Sequence, residues 1–195
     1  MGISAAQSCL VEACGRVFLE VVRFDRTGLL GRKPIISLRA IDNEFYGFQD
    51  NWINAANRLE ADGRLSSSDA GSLRWLSVFG TLIANNDQHF GNVSLVMVDG
   101  RRRFERAPAY DVLPMFYRPM DGAAPSRAFT PPAIVPGAHR EWDTALHWAE
   151  VFWENTSQDN RISEEFRQIC VKNIDAVLGL KSGPRMVVPN QKKGE

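Results

Sequence analysis

An apolar stretch from Ser72 to Ala84 runs straight into a polar segment, and two strand-like segments follow it. The apolar positions of this stretch suit a helix buried in the core, namely Leu73, Leu76, Val78, Phe79, Leu82 and Ile83. Residues 93–98 are predicted to form a strand, Asp99-Gly100 is a strong turn signal, and 103–107 are predicted to form the returning strand. The helix therefore delivers the polar loop from the core, and the hairpin carries the chain back to Asp111.

The polar loop and the segment after the hairpin contain an acid, a carboxamide and a second acid, in the order Asp87, Asn92 and Asp111. In protein kinases, an Asp of the catalytic loop engages the substrate hydroxyl, a nearby Asn holds one Mg²⁺, and a later Asp joins the metal to the phosphates. Mg²⁺ takes oxygen ligands, and an Asn oxygen can ligate it without adding charge. Because the hairpin folds the intervening residues back, Asn92 and Asp111 are expected to be neighbours. The order favours phosphoryl transfer.

Longer motifs surround these residues. Asn86-Asp87-Gln88-His89-Phe90-Gly91-Asn92 resembles the D-x-H-x-x-N catalytic loop of the HipA family of bacterial toxin kinases, and residues 107–114 resemble its metal-binding segment. Val22-Arg23-Phe24-Asp25-Arg26 resembles the family's interlobe signature, although many relatives carry Glu at the position of Val22. The motifs are most similar to those of the YjjJ branch. The resemblance covers most of the chain, from about Ser8 to the predicted helix ending near Leu178.

The resemblance implies a serine/threonine protein kinase that uses ATP and Mg²⁺ and acts as the toxin of a toxin–antitoxin system. By this resemblance Asp87 is the catalytic residue, Asn92 and Asp111 are the metal ligands, and His89 supports the loop. Val22 and Phe24 would form the hinge beside the nucleotide. HipA-type toxins phosphorylate proteins, aminoacyl-tRNA synthetases among them, and are commonly restrained by a DNA-binding antitoxin. The implied partners are a protein substrate and an antitoxin.

Family members are roughly twice as long and carry an N-terminal lobe with a phosphate-covering loop and an ATP-contacting Lys. This sequence has no glycine-rich phosphate loop, and its five Lys residues all follow the predicted hinge. The N-terminal lobe is therefore expected to be largely absent, with residues 9–13 and 17–23 as its last hairpin. One preorganised electrostatic contact contributes about 3 to 4 kcal/mol to catalysis. The isolated chain is expected to bind ATP weakly and to transfer phosphate poorly unless a separate N-lobe protein completes it.

The predicted fold class is α+β, mainly helical with small β-hairpins, of the protein-kinase C-lobe type found in HipA. Residues 1–24 are assigned to the remnant hairpin and hinge, 25–180 to the helical C-terminal kinase lobe, and 181–195 to a flexible tail.

Four helices are expected in that lobe. One begins at Asp42 or Asn43 and runs to about Ala61, and the core helix follows cap residues at 66–69. Two amphipathic helices are predicted over 141–155 and 163–178. The five tryptophans are assigned to packing, namely Trp52, Trp75, Trp142, Trp148 and Trp153.

Charge and cysteine content limit the partners. Lys plus Arg equals Asp plus Glu at 23 each, so no global field draws the chain to nucleic acid or to an anionic membrane. Arg101 to Arg103 with Arg106 could form a nucleic-acid patch, but Glu105 interrupts the run and a solvated turn is favoured. Three cysteines make no even disulfide framework, and neither a signal peptide nor a long apolar span is present. Cytoplasmic localisation is predicted.

Two other functions stay open. The chain could be a non-catalytic binding module, either a degenerate kinase fragment or one piece of a split kinase. It could instead be a metal-dependent hydrolase using Asp87, His89 and Asp111, although those residues form no convincing ligand set. Asp and Asn also favour turns and helix caps, but both family motifs favour a catalytic-loop origin for Asp87 and Asn92. His89 is assigned a structural role.

Overall fold

The computed structural model describes residues 2–98, 102–120, 125, 127–132, 134 and 136–182. Within these residues the fold combines five α-helices with small antiparallel sheets, so the predicted mainly helical α+β class is confirmed. No helix in the described part of the chain is long and apolar enough to cross a membrane. The predicted turn at Asp99-Gly100 and the tail after Ser182 lie outside the described residues.

The chain begins with the predicted hairpin. Strands β1 (Ser8–Ala13) and β2 (Arg16–Val21) pair in antiparallel register, and residues 14 and 15 both adopt positive φ angles, of 53° and 71°, in the turn between them. A two-residue turn with positive φ matches the right-handed twist of the strands. A short ribbon of β3 (Arg26–Thr27) and β4 (Gly31–Arg32) follows.

A three-stranded antiparallel sheet positions the predicted loop. Its order is β5-β6-β7, formed by β5 (Ile35–Ser37), β6 (Ser94–Val98) and β7 (Arg103–Arg106). The pairing of β6 with β7 confirms the second predicted hairpin. On β6, Leu95 is fully buried, whereas Met97, two residues later on the same face, is 38% exposed, so the core covers only part of this face.

The helices are α1 (Leu38–Phe45), α2 (Trp52–Ala61), α3 (Ser67–Leu82), α4 (His139–Gln158) and α5 (Glu164–Ser182). Helix α3 is the predicted core helix, and it begins at the expected cap, where the Ser66 hydroxyl accepts a hydrogen bond from the backbone N–H of Asp69. Short single-turn helices at Phe90–Asn92 and Met115–Tyr117 flank the second hairpin.

The prediction of one helix from residue 42 or 43 to 61 is wrong. The segment forms two helices, α1 and α2, capped by Ser37 and Asn51. Asp42 is 1% exposed and sits inside α1, where its carboxylate accepts hydrogen bonds from the backbone N–H of Gln49 and from the Arg58 guanidinium. The buried acid therefore anchors the connection between the helices instead of capping one.

Helix α3 lies between two apolar clusters. One cluster packs α1, α2 and the three-stranded sheet against it, and the other packs α4 and α5. Trp52, Trp142 and Trp153 are buried in these clusters, as predicted. Trp148 is 49% exposed, so its assignment to packing is wrong. An amphipathic pattern identifies the helix that carries a residue, but the neighbouring elements decide whether anything covers it.

Candidate functional site

The polar loop begins where α3 ends, and distant parts of the chain hold that end. The backbone carbonyl of Leu82 accepts a hydrogen bond from the Trp153 indole at 3.1 Å. Ala84 has a φ of 60°, in the left-handed region that costs a residue with a Cβ about 1 kcal/mol or more. Its carbonyl accepts from the backbone N–H of Phe116 at 3.0 Å. These long-range contacts stabilise the sharp exit of the chain from the helix.

The carboxamide of Gln88 connects the loop to the last turns of α3. Its oxygen accepts from the Ser77 hydroxyl at 3.0 Å, and its nitrogen donates to the Thr81 hydroxyl at 3.0 Å and to the Asn85 carbonyl at 3.3 Å. Gly80 faces this group, and a Cβ there would lie 3.1 Å from the Gln88 nitrogen. Gln88 thus fixes the loop on the helix, and Gly80 leaves space for it.

Asp87 and Asn92 are joined within the loop. The side-chain oxygen of Asn85 accepts the Asp87 backbone N–H at 2.9 Å, and the Asn92 amide nitrogen donates to the Asp87 carbonyl at 3.0 Å. Because the nitrogen of Asn92 is used in this way, its side-chain oxygen is the atom left for a cation. The Asp87 side chain is 45% exposed and can be reached from solvent.

His89 supports the loop through its ring and its backbone. Its Nδ1 accepts the Gly91 backbone N–H at 3.0 Å, so a neutral imidazole carries its proton on Nε2, which lies 3.9 Å from an Asp87 carboxylate oxygen. A Cβ at Gly91 would lie 2.8 Å from the ring, so glycine is required for this arrangement. The His89 carbonyl also accepts from the Trp52 indole at 3.2 Å. The contacts support the predicted structural role.

Asp111 lies just after the second hairpin, with an exposed side chain and a φ of 57°. The preceding residue, Tyr110, was not predicted from the sequence as part of the site. Its hydroxyl donates to the Gly91 carbonyl at 3.2 Å, and its ring stacks on Phe24 with centroids 5.8 Å apart. Its position directly before Asp111, in the segment that resembles the metal-binding segment of the HipA family, is the signal that could have identified it.

A cleft of about 1190 Å³ brings part of the predicted site together. Val22, Phe24 and Asp111 line it, along with Trp75, Phe79 and Trp148 from the helices. Asp87, His89 and Asn92 do not line this cleft; they lie on the loop that Tyr110 joins to it. The predicted residues therefore form two groups, and Tyr110 lies between them.

The charge in the cleft is largely compensated. Among the described residues that line it, Arg23 is the single Lys or Arg, and its guanidinium pairs with Asp25 at 2.5 Å. The hydrogen bond from Arg23 lowers the pKa of the Asp25 carboxyl below its usual value. This pair leaves Asp111 as the other acid that lines the cleft.

The donor set fits a metal held mainly by phosphate. Within the described residues, no group of three or more His, Cys, Asp or Glu side chains could hold a metal ion. Mg²⁺ bound to a nucleotide needs only one or two protein oxygen ligands, and the Asn92 side-chain oxygen and the Asp111 carboxylate are of that type. A metal-dependent hydrolase would need a larger set of protein ligands, and the described residues contain no such set.

Arg101 of the basic run lies outside the described residues, and among the described ones Arg106 differs from its prediction. Arg106 is partly buried instead of solvated, and its guanidinium donates to the carbonyls of Ala107 at 2.6 Å and Ser4 at 3.5 Å. Burial lowers the pKa of this guanidinium. Arg106 therefore holds the N-terminal segment against the strand beside the cleft.

Comparison with known proteins agrees with the motifs. The family model described as the HipA-like C-terminal domain matches residues 1–177. Toxin YjjJ of Escherichia coli (strain K12) is 36% identical over 171 residues, which cover 87% of this chain and 38% of that protein. The chain thus spans well under half the length of this curated relative.

Two solved structures align with the chain. The Helicobacter pylori proinflammatory kinase CtkA aligns with a TM-score of 0.57 at 10% identity, covering 91% of this chain and 77% of that one. HipA of Shewanella oneidensis MR-1, solved with HipB and operator DNA, aligns with a TM-score of 0.49 at 17% identity, covering 97% of this chain and 47% of that one. The likeness to CtkA shows a kinase-like fold.

Proposed function

The chain belongs to the family of HipA-like C-terminal domains, as its motifs predict, and from this membership we propose that it forms the catalytic lobe of a serine/threonine protein kinase. The proposed reaction transfers the γ-phosphoryl group of ATP to a protein hydroxyl. One observation supports this best: Asp111 lines the same cleft as the hinge residues Val22 and Phe24, beside the loop that joins Asp87 to Asn92.

In this proposal ATP occupies the cleft against Val22 and Phe24. Mg²⁺, when bound, neutralises the negative charge of the phosphates, and its protein ligands would be the Asn92 side-chain oxygen and the Asp111 carboxylate. The exposed Asp87 carboxylate would accept the hydrogen bond of the substrate hydroxyl and orient it. His89 would hold the loop through its bond to Gly91.

We propose that another segment or polypeptide completes the nucleotide site. No Lys is among the described residues that line the cleft, and its one Arg is paired. The first hairpin also exposes large apolar side chains, with Leu10 at 54%, Phe18 at 50% and Leu19 at 64%. Leu10 and Leu19 are cross-strand partners on one face of the hairpin, and Phe18 lies on the other face. Exposed apolar surface is typical of an interface. A separate or additional N-lobe would cover this hairpin and supply the missing phosphate contacts.

Family membership also supplies the proposed partners. We propose a protein substrate, with aminoacyl-tRNA synthetases as the first class to test, and restraint by an antitoxin protein. Direct binding of nucleic acid or of a membrane by this chain is not part of the proposal, because its formal charges balance. The proposed site of action is the cytoplasm.

A second candidate function is supported by the same cleft. Without a free cation among its described lining residues, the chain could act as a non-catalytic binding module, either a degenerate kinase fragment or one piece of a split kinase. A kinase lobe that acts without a phosphate-covering loop and an ATP-contacting Lys lacks contacts that contribute about 3 to 4 kcal/mol each in a transition state, whereas a binding surface does not need them.

Thermal melting with and without Mg²⁺-ATP separates the two functions. A ligand that binds only the folded state stabilises it by RT ln(1 + [L]/Kd), so the melting temperature rises with the ligand concentration. We expect a rise for the wild-type chain that Asp111→Ala abolishes and that the control Asp159→Ala retains, because Asp159 pairs with Arg161 and does not line the cleft. No rise for the wild type would favour the binding module. Robust phosphorylation by the isolated chain would contradict the need for a second lobe.

A further inference from the structure

Tyr110 contacts both segments that carry the proposed metal ligands. Its hydroxyl lies 2.7 Å from the Ser94 hydroxyl and 3.2 Å from the Gly91 carbonyl oxygen. The carbonyl can only accept, so the Tyr110 proton is directed to Gly91, and the Tyr110 oxygen then accepts from Ser94. A one-way chain of hydrogen bonds therefore runs from Ser94 through Tyr110 to the loop.

The Tyr110–Gly91 hydrogen bond joins the two residues that directly precede the proposed metal ligands. Gly91 precedes Asn92, and Tyr110 precedes Asp111. Asp111 has a left-handed φ of 57°, a conformation that persists in a non-glycine residue only when its surroundings hold it. The Tyr110–Gly91 bond is one such restraint, and it also limits how far Asn92 and Asp111 can move apart.

The same tyrosine also touches the hinge. Its ring stacks on Phe24 at 5.8 Å with an interplanar angle of 27°, and both rings line the cleft. Its other partner, Ser94, is the first residue of β6 and pairs with Ser37 of β5, so the anchor belongs to the sheet. Tyr110 thus connects the hinge, the catalytic loop and the segment of Asp111 with one side chain.

We infer that Tyr110 is a positioning residue that holds the two metal-ligand positions in register with the hinge. The inference rests on the proposed function, because Asn92 and Asp111 are metal ligands only if the site binds a metal–nucleotide complex. The hydroxyl should matter for the metal-dependent part of nucleotide binding, and the ring for contact with the hinge. Tyr110→Phe separates the two, because it keeps the stacking and removes the hydrogen bonds.

The test measures the ATP dissociation constant by calorimetry, once with Mg²⁺ and once with EDTA, for wild type and Tyr110→Phe. We expect Tyr110→Phe to weaken Mg²⁺-ATP binding by roughly three- to tenfold, the range of one hydrogen bond, and to leave metal-free ATP binding within about twofold. Tyr46→Phe is the matched control. It removes a hydroxyl that donates to Asp62 at 2.6 Å, away from the cleft, and should change neither constant.

The outcomes distinguish this inference from the function on which it rests. Wild-type protein that binds no nucleotide in either condition would overturn the proposed function, and the inference with it. Wild-type protein that binds Mg²⁺-ATP, with Tyr110→Phe weakened equally in both conditions or in neither, would overturn the inference alone. Hydrogen exchange adds a measurement that needs no ligand. The backbone amides of Gly91 and Asn92 should exchange faster in Tyr110→Phe than in the wild type, and at the wild-type rate in Tyr46→Phe.

Discussion

The side-chain amide of Asn92 donates a hydrogen bond to the backbone carbonyl of Asp87 at 3.0 Å. This bond closes the loop that carries the proposed catalytic acid. A carboxamide can donate from its nitrogen and still offer its oxygen to a cation, whereas a carboxylate can only accept. The requirement at position 92 is therefore for an Asn, even though Asp is also a good ligand for Mg²⁺.

Asn92→Asp is expected to destabilise the protein by about 1 to 2 kcal/mol at neutral pH, because the Asp87 carbonyl loses its donor and faces a charge. The measurement is the free energy of unfolding in urea. Asn43→Asp is the control: the exposed Asn43 side chain accepts a hydrogen bond from Gln49 through its oxygen, and a carboxylate can still accept. Equal stability losses in the two variants would contradict the role of the Asn92 amide.

Two glycines of α3 should respond oppositely to the same substitution. Replacing a glycine inside a helix with Ala typically stabilises it by roughly 0.5 to 1 kcal/mol. At Gly71 a Cβ would make ordinary contacts at 3.7 and 3.8 Å, so Gly71→Ala should show this gain. At Gly80 the Cβ would lie 3.1 Å from the Gln88 nitrogen, which two hydrogen bonds hold in place. Gly80→Ala should therefore be neutral or destabilising in urea unfolding; a gain equal to that of Gly71→Ala would show that Gln88 does not hold the loop.

Asp50 should make stability depend on pH. Its carboxylate accepts two hydrogen bonds from Arg58 and one from Asn54, and the bonds from Arg58 chiefly lower its pKa below the usual value. A carboxyl whose pKa is lower in the folded state than in the unfolded state stabilises the fold fully at pH values above its unfolded-state pKa, which is near 4. This stabilisation is lost as the pH falls through the folded-state pKa. Because the side chain is 30% exposed, we expect Asp50→Asn to cost only about 1 kcal/mol at pH 7. That difference from wild type should shrink below about pH 4, and a difference independent of pH would refute the prediction.

The three cysteines should separate into two reactivity classes. Cys9 and Cys14 are exposed on the first hairpin, whereas Cys170 is fully buried, and burial raises the pKa of its thiol to about 11. In a thiol-reagent titration at pH 8, two thiols should react with the native protein and the third only after unfolding. A Cys9→Ser/Cys14→Ser double variant should show no fast reaction. Rapid reaction of all three native thiols would contradict the buried position of Cys170.

Local chemistry explains which elements the sequence predicts correctly. The strands of the first hairpin lie within two residues of the predicted bounds, 9–13 and 17–23, because the turn at Cys14-Gly15 separates two short strand-like segments. Ser66 marks the start of α3 because a serine cap acts on its own first turn. The helices α4 and α5 follow from their apolar periodicity, although both extend beyond the predicted limits.

The errors share one cause. The break between α1 and α2 depends on Asp42, whose buried carboxylate is satisfied by Arg58 from the next helix and by a backbone N–H seven residues away. The exposure of Trp148 depends on which elements cover α4, and the burial of Arg106 on the N-terminal residues beside it. None of these partners is adjacent in sequence, so no local pattern indicates them.

The sequence by itself determined the family, the fold class and the motifs that contain Asp87, Asn92 and Asp111, because motif spacing, turn residues and periodicity are properties of neighbouring positions. Only the tertiary structure decided that Asp111 shares a cleft with Val22 and Phe24 while Asp87 and Asn92 lie on the adjoining loop. It also decided that Tyr110 joins the two groups. Such contacts depend on how the packed helices and sheet place distant residues, and the packing of the whole core determines that placement.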